Sequence, residues 1–151
     1  MQADAGAQSN IEVVRRALDA INRGDLAALA TTVTPDFARR DLAQAFVFER
    51  AGADSLASFI AMVRGALPDF TMHIVDIFAT EDQAAVELRL TGTHLGEILG
   101  APGTGRHIEI NGVSLYRFRD GLICENTQLL DLAGLMGQLT GAAGDREAAT
   151  A

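Results

Sequence analysis

An α+β domain, helices first and a meander of long strands afterwards, is predicted by three observations. Apolar residues recur every 3.6 positions in the first half of the chain and every second position in the second half. Between two of the alternating runs stands Asp120-Gly121, a tight-hairpin signal. Elements in that order pack helices against one face of a curved sheet and leave a pocket between the layers.

Ile11, Val14, Leu18 and Ile21 keep helical spacing behind the capping-box run Ser9-Asn10-Ile11-Glu12, which predicts a first helix over 10–22. Asn22-Arg23-Gly24-Asp25 reads as a glycine C-cap followed at once by a new N-cap, and Leu26, Leu29, Ala30 and Val33 then give a short second helix. Thr34-Pro35-Asp36-Phe37 breaks the pattern. The stretch to Arg50 stays ambiguous, with a strand around Phe46, Val47 and Phe48 as one reading. A third helix starts near Asp54-Ser55, carries Leu56, Phe59, Ile60, Val63 and Leu67 on one face, and stops at Pro68.

From there the period is 2. Phe70, Met72, Ile74, Asp76 and Phe78 share one side of a strand over 70–79, and Val86, Leu88 and Leu90 one side of a strand over 84–91. A Gly-rich excursion, Gly92 to Gly105, leads to a third strand over 107–118, and Asp120-Gly121 turns the chain into a fourth over 122–131. Leu132, Leu135, Met136 and Leu139 form a last amphipathic turn. The small, polar stretches 1–9 and 141–151 read as flexible tails around a single domain over 10–140.

At 151 residues and 48% hydrophobic the chain can bury a core of one domain. It holds 12 arginines, no lysine and 20 acidic residues, for a net charge of −8. The missing lysine excludes Schiff-base chemistry and a Walker lysine. Repulsion from phosphate argues against a nucleic-acid partner. One cysteine, Cys124, allows no intrachain disulfide, and His73, His94 and His107 fit no close metal-ligand spacing, so no metal and no cofactor are expected. No apolar run approaches the ~20 residues of a membrane span, and the start MQADAGAQSN is unlike a signal peptide. A cytoplasmic protein without a membrane partner is expected.

The run TGTHLGEILGAPGTGRHIEINGVSLYRFRDGLICE (91–125), with Asp131 and Gln138-Leu139 beyond it and LPDFTMHIVDIFATEDQAAVELRL (67–90) before it, resembles the SnoaL-like polyketide cyclase family. The resemblance covers roughly 11–139 and implies a cone-shaped α+β barrel enclosing a pocket. It further implies cofactor-independent intramolecular aldol closure of an aromatic polyketide, and a homodimer or homotetramer. A hydroxylase, isomerase or dehydratase on the same scaffold, or a non-catalytic binding module, are the alternatives. Family members commonly carry Glu-His-Trp in the last strand; this chain reads Glu125-Asn126-Thr127 and has no tryptophan.

Aldol closure needs a base for an acidic C–H, donors for the enolate oxygen and a dry cavity. Simple hairpin register about Asp120-Gly121 pairs Phe118 with Ile123 and Tyr116 with Glu125, which puts the Glu125 carboxylate on the apolar face as the leading base. If a bulge shifts the register, Glu125 falls outside and pairs with Arg117. His94 is in phase with Val86, Leu88 and Leu90, as proton partner or as a structural anchor. Asp131 either caps the last helix or reaches the pocket mouth as a catalytic group. Tyr116, Phe118, Asn111 and Asn126 are candidate substrate contacts; the neutral amides Asn111, Asn126 and Gln128 suit hydrogen bonds to substrate carbonyls and equally suit an oligomer face. Asp76 is expected to pair with Arg89, and Asp36, Arg39, Arg40 and Asp41 to form a surface ion cluster. Gly100-Ala101-Pro102-Gly103-Thr104-Gly105-Arg106 has phosphate-loop spacing without the lysine or the following helix, and reads as a strand connection.

Overall fold

The computed structural model describes residues 4–46 and 50–141. The ambiguous segment at Val47 and Phe48 and the tail beyond Gly141 lie outside them. In chain order the elements are α1 (Ala5–Arg23), α2 (Leu26–Ala30), β1 (Val33–Asp41), α3 (Asp54–Ala66), β2 (Thr71–Ala79), β3 (Gln83–Thr93), β4 (His107–Arg119), β5 (Leu122–Leu130) and α4 (Leu132–Thr140). All five strands join one sheet in the order β1-β5-β4-β3-β2. The pairs from β2 to β5 are antiparallel and β1 lies parallel to β5 at the edge.

Alternation sorts the sheet's two faces. Val86 and Leu88 of β3, Ile108 and Ile110 of β4 and Ile123 of β5 point inward and cluster with Val14, Ala17 and Leu18 of α1 and Phe59, Ile60 and Val63 of α3. Each such side chain contributes roughly 1.5–3 kcal/mol by leaving water. Side-chain hydrogen bonds fix the helices on this layer. Asn22, near the end of α1, donates to the Met72 carbonyl at 2.9 Å and accepts from the Met72 N–H at 2.7 Å. The Arg64 guanidinium of α3 donates to the carbonyls of Ile21 (2.8 Å) and Asn22 at the C-terminal end of α1.

Four local expectations are corrected. Helix α1 begins at Ala5, not near residue 10, because the Asp4 carboxylate accepts from the Gly6 N–H and the alanines that follow propagate a helix. Asn10 is a buried side chain of that helix, holding the carbonyls of Thr80 and Glu81 at 2.9 Å. Strand β1 escapes the sequence reading because Pro35 and Asp36 signal a turn; its register against β5 shifts between Val33 and Ala38, and an edge position tolerates the proline. In β2 a bulge between Ile74 and Asp76 flips the alternation, so Asp76 and Phe78 face solvent. Arg89 consequently meets Glu109, at 3.7 Å, and not Asp76.

The fourth correction concerns the β4–β5 hairpin. Its Asp120-Gly121 turn has φ of 52° and 76°, as a type I′ turn requires, and Phe118 pairs with Ile123 as predicted. A bulge at Cys124 then shifts the ladder by one, so Arg117 faces Glu125 and Tyr116 faces Asn126. A one-residue slip moves a side chain to the other face of a sheet, and here it exchanges Glu125 for Asn126 inside the cone.

Candidate functional site

The concave layer encloses a hollow of about 30 Å³, room for roughly two waters. Apolar walls come from Leu18 and Ile21 of α1, Leu56, Phe59 and Ile60 of α3, and Phe37 of β1. Four polar side chains break this lining: Arg39 from β1, Tyr116 from β4, and Asn126 and Gln128 from β5. They converge for a topological reason. Parallel pairing sets Arg39 beside Asn126, while the bulged antiparallel ladder sets Tyr116 across from that same Asn126.

Arg39 is the cation of the set. Its guanidinium donates to the Gln128 Oε1 and lies over the Phe59 ring, 4.3 Å from the centroid, and Phe46 meets Phe59 edge-on at 5.2 Å. Burial pulls its pKa down to about 10, against the opposing pull of Tyr116 and Asp41, so it stays protonated at neutral pH. The Tyr116 hydroxyl is pushed the other way: burial raises its pKa, and the Ser114 hydroxyl and Arg39 oppose the rise. Tyr116 is therefore a proton donor across the physiological range. Asn126 donates to the Leu115 carbonyl at 3.3 Å. The arrangement offers a fixed cation, a hydroxyl and two amides in an apolar enclosure, which is the equipment for stabilising a developing oxyanion.

Tyr116 is the only tyrosine and the chain lacks tryptophan, so near-ultraviolet absorbance reports its ionisation alone. Titration is expected to give an apparent pKa above the free value of about 10. With the folded pKa raised, the unfolded chain releases this proton first, and the contribution to stability falls as pH climbs above about 10. An apparent pKa at or below the free value refutes the buried, neutral phenol.

Of the residues singled out from sequence, the hollow brings together Tyr116, Asn126 and Gln128. Glu125 is half-exposed on the outer face, 3.8 Å from Arg117, in an open cleft of about 340 Å³ with Arg40, Leu42, Phe78 and Leu115. The expectation that its carboxylate shares the apolar face with Tyr116 is thereby corrected. Asp131 N-caps α4, accepting from the Gly134 N–H at 2.9 Å on the outer side of the sheet. Asn111 is exposed there too, and its carbonyl accepts from the Asp131 N–H. Phe118 is core near the hairpin turn, outside the lining of the hollow.

His94 is fully buried, but in the β3–β4 connection. Its Nδ1 accepts from the Thr104 N–H at 3.3 Å and lies 3.0 Å from the Thr104 hydroxyl, which assigns the ring proton to Nε2. The Gly-rich stretch is a strand connection, as expected: Gly105 N–H and Arg106 carbonyl pair with the His94 backbone. Sequence reasoning missed Arg39, placed with the surface ions, although Asp36 does form a surface pair with Arg119. Gln128 stands two residues beyond Asn126 on the same face, a periodicity that marks it once the bulge is known. Among the described residues no group of three or more His, Cys, Asp and Glu side chains is placed to hold a metal ion.

Comparison with known proteins accords with this architecture. Residues 11–139 match the family model described as SnoaL-like polyketide cyclase. Aklanonic acid methyl ester cyclase DauD of Streptomyces sp. (strain C5) is 27% identical over 131 residues, 85% of this chain and 80% of that one. The cyclase of the same description from Streptomyces peucetius, DnrD, is 26% identical over 133 residues, 87% of this chain and 90% of that one. Among solved structures, wild-type IdmH from Streptomyces antibioticus superposes with a TM-score of 0.77 at 27% identity, covering 87% of this chain and 98% of its own. A family model spanning most of the residues, on a sheet and hollow of this form, places the chain in the SnoaL-like polyketide cyclase family.

Proposed function

We propose that this chain closes a ring in an aromatic polyketide by a cofactor-independent intramolecular aldol reaction, with the hollow as its site. In that step a solvent-derived base takes the proton from a C–H flanked by carbonyls, and the enolate carbon attacks a second carbonyl of the same molecule. The Tyr116 hydroxyl protonates the resulting alkoxide and recovers its proton from the conjugate acid of that base, so that no atom is gained or lost. The charge passes from one oxygen to another without leaving the molecule. A fixed donor set that meets both oxygens therefore lowers both barriers. Arg39 supplies the charge, Tyr116 a hydroxyl proton, and Asn126 and Gln128 neutral hydrogen bonds. The observation that carries the reading is the Arg39 guanidinium, buried beneath α3 between Gln128 and the Phe59 ring. Two cyclases of a polyketide methyl ester among the relatives support the substrate class.

Multi-ring ligands occupy pockets of roughly 300–1,000 Å³. The hollow, at about 30 Å³, is far smaller, so in this reading a wall moves to admit substrate. In this reading the protein acts in the cytoplasm as a homodimer through the outer face of the sheet. There Phe78, Val113, Leu115 and Leu129 are exposed, and the charges form pairs, Arg89 with Glu109 and Arg117 with Glu125, on a chain whose net charge is −8. Sedimentation equilibrium showing a monomer refutes the dimer.

The test of function is anaerobic turnover of an anthraquinone β-keto methyl ester by the purified chain, with chelator present and no nicotinamide or flavin. A ring-closed isomer of unchanged mass is expected. Product formed only with oxygen, and heavier by one oxygen atom, marks a hydroxylase. A ligand-induced rise in melting temperature without any product marks a binding module.

A further inference from the structure

We propose that Ser114 is a positioning residue for Tyr116: a hydroxyl kept without a hydrogen bond in the resting fold, which donates to the Tyr116 oxygen while that oxygen is without its proton. The proposal rests on the cyclase reading of the hollow, in which Tyr116 protonates the aldol alkoxide. Alternation along β4 puts Ser114 and Tyr116 on the same inward face, two positions apart. Ser114 is fully buried, and its Oγ makes no hydrogen bond within the described residues. A hydroxyl enclosed in this way costs folding free energy, so its presence asks for a physical reason.

Register narrows the partners within reach of this hydroxyl. Across the two ladders its neighbours are Val86 of β3, with an apolar side chain, and Gln128 of β5, whose Oε1 is turned to Arg39. Tyr116 is the next inward side chain along β4 itself. Burial raises the Tyr116 pKa, and the foremost group opposing that rise is the Ser114 hydroxyl. A hydrogen bond to a charged acceptor is roughly twice as strong as one to a neutral acceptor, so the contact tightens as the phenol gives up its proton. In that step the Tyr116 O–H bond breaks and the alkoxide O–H bond forms, while the Ser114 O–H bond stays intact. The phenolate holds its charge against Ser114 until the conjugate acid of the base returns a proton. An interaction unmade in the ground state and made as charge develops lowers the barrier without tightening substrate binding.

The experiment uses the full chain with 3,5-difluorotyrosine at its single tyrosine position, 116. The fluorinated phenol is acidic enough to titrate while the chain is folded, and its absorbance reports the phenolate directly. Ser114→Ala is expected to shift this titration to higher pH than in wild type. The variant is also expected to unfold at a urea concentration no lower than wild type, because it deletes an oxygen without a partner. With ordinary tyrosine, Ser114→Ala is expected to lower kcat for ring closure by roughly 10–100-fold, the loss of one hydrogen bond to a charged group, and to leave KM within about 3-fold. On a Tyr116→Phe background the same substitution is expected to change kcat by less than about 2-fold. A merely packing role would move the urea midpoint and leave the titration where it is. Coincident titrations of wild type and Ser114→Ala overturn the role, as does an equal loss of kcat in the tyrosine and phenylalanine backgrounds. If wild type closes no ring, the cyclase reading falls, while the titration, which needs no substrate, still decides whether Ser114 acts on Tyr116.

Discussion

Arg39→Met is expected to lower kcat for ring closure by roughly 100–1,000-fold, the loss typical of removing one donor to a developing oxyanion. Methionine keeps much of the side chain's length and contact with Phe59, so the variant tests charge and hydrogen bonding more than packing. It is not expected to unfold. Burial lowers the pKa of Arg39 to about 10 against the pull of Tyr116 and Asp41, and an apolar replacement removes the desolvation cost of that cation. Arg39→Lys restores charge without the planar fork, and an intermediate rate is expected. The pH dependence follows from the same value. Below about 10 the guanidinium is charged and active; as pH rises through about 10 it loses its proton, and wild-type kcat is expected to fall there. Single-turnover kinetics on the wild type and both variants decide the matter. A methionine variant within about 3-fold of wild type ends the role given to Arg39.

What the sequence could and could not reveal divides along a physical line. Periodicity and turn chemistry are local, and they locate α3, the four strands of the meander and the Asp120-Gly121 hairpin within a residue or two. Facing is cumulative. Each strand's alternation holds only until a bulge intervenes, and one extra residue, Cys124, takes Glu125 out of the cone and brings Asn126 in. The bulge after Ile74 does the same to Asp76 and Phe78. Arg39 lay further from view because its place depends on β1, a strand hidden by Pro35 and defined by a partner nearly ninety positions later, as the Arg39–Gln128 contact is. The family resemblance fixed the architecture; the polar set inside required the register.

Gly103→Ala is expected to cost about 2–4 kcal/mol, although Gly103 lies outside the lining of the hollow. A Cβ there would stand 2.3 Å from the Leu95 carbonyl oxygen, and one on Gly96 would stand 2.4 Å from that of Gly65; in both cases the obstacle is backbone, which cannot rotate away. This close packing lets the connection clamp α3, because the N–H groups of Leu95 and Gly96 both donate to the Ala66 carbonyl, at 2.9 and 3.1 Å. The Asp69 carboxylate, just past α3, adds bonds from the N–H and hydroxyl of Thr93. Helix α3 carries Leu56, Phe59 and Ile60 of the hollow's wall, while no side chain caps its N-terminal end. Loosening the clamped end should therefore weaken ligand binding as well as stability. Gly100→Ala is the control: its φ of 82° costs about 1 kcal/mol, but its Cβ would meet open space, so affinity should stay unchanged. Urea unfolding with quinone binding on the same samples separates the two substitutions. If Gly103→Ala unfolds at the wild-type midpoint, the Gly-rich connection does not clamp α3, and the hollow's wall is held from elsewhere.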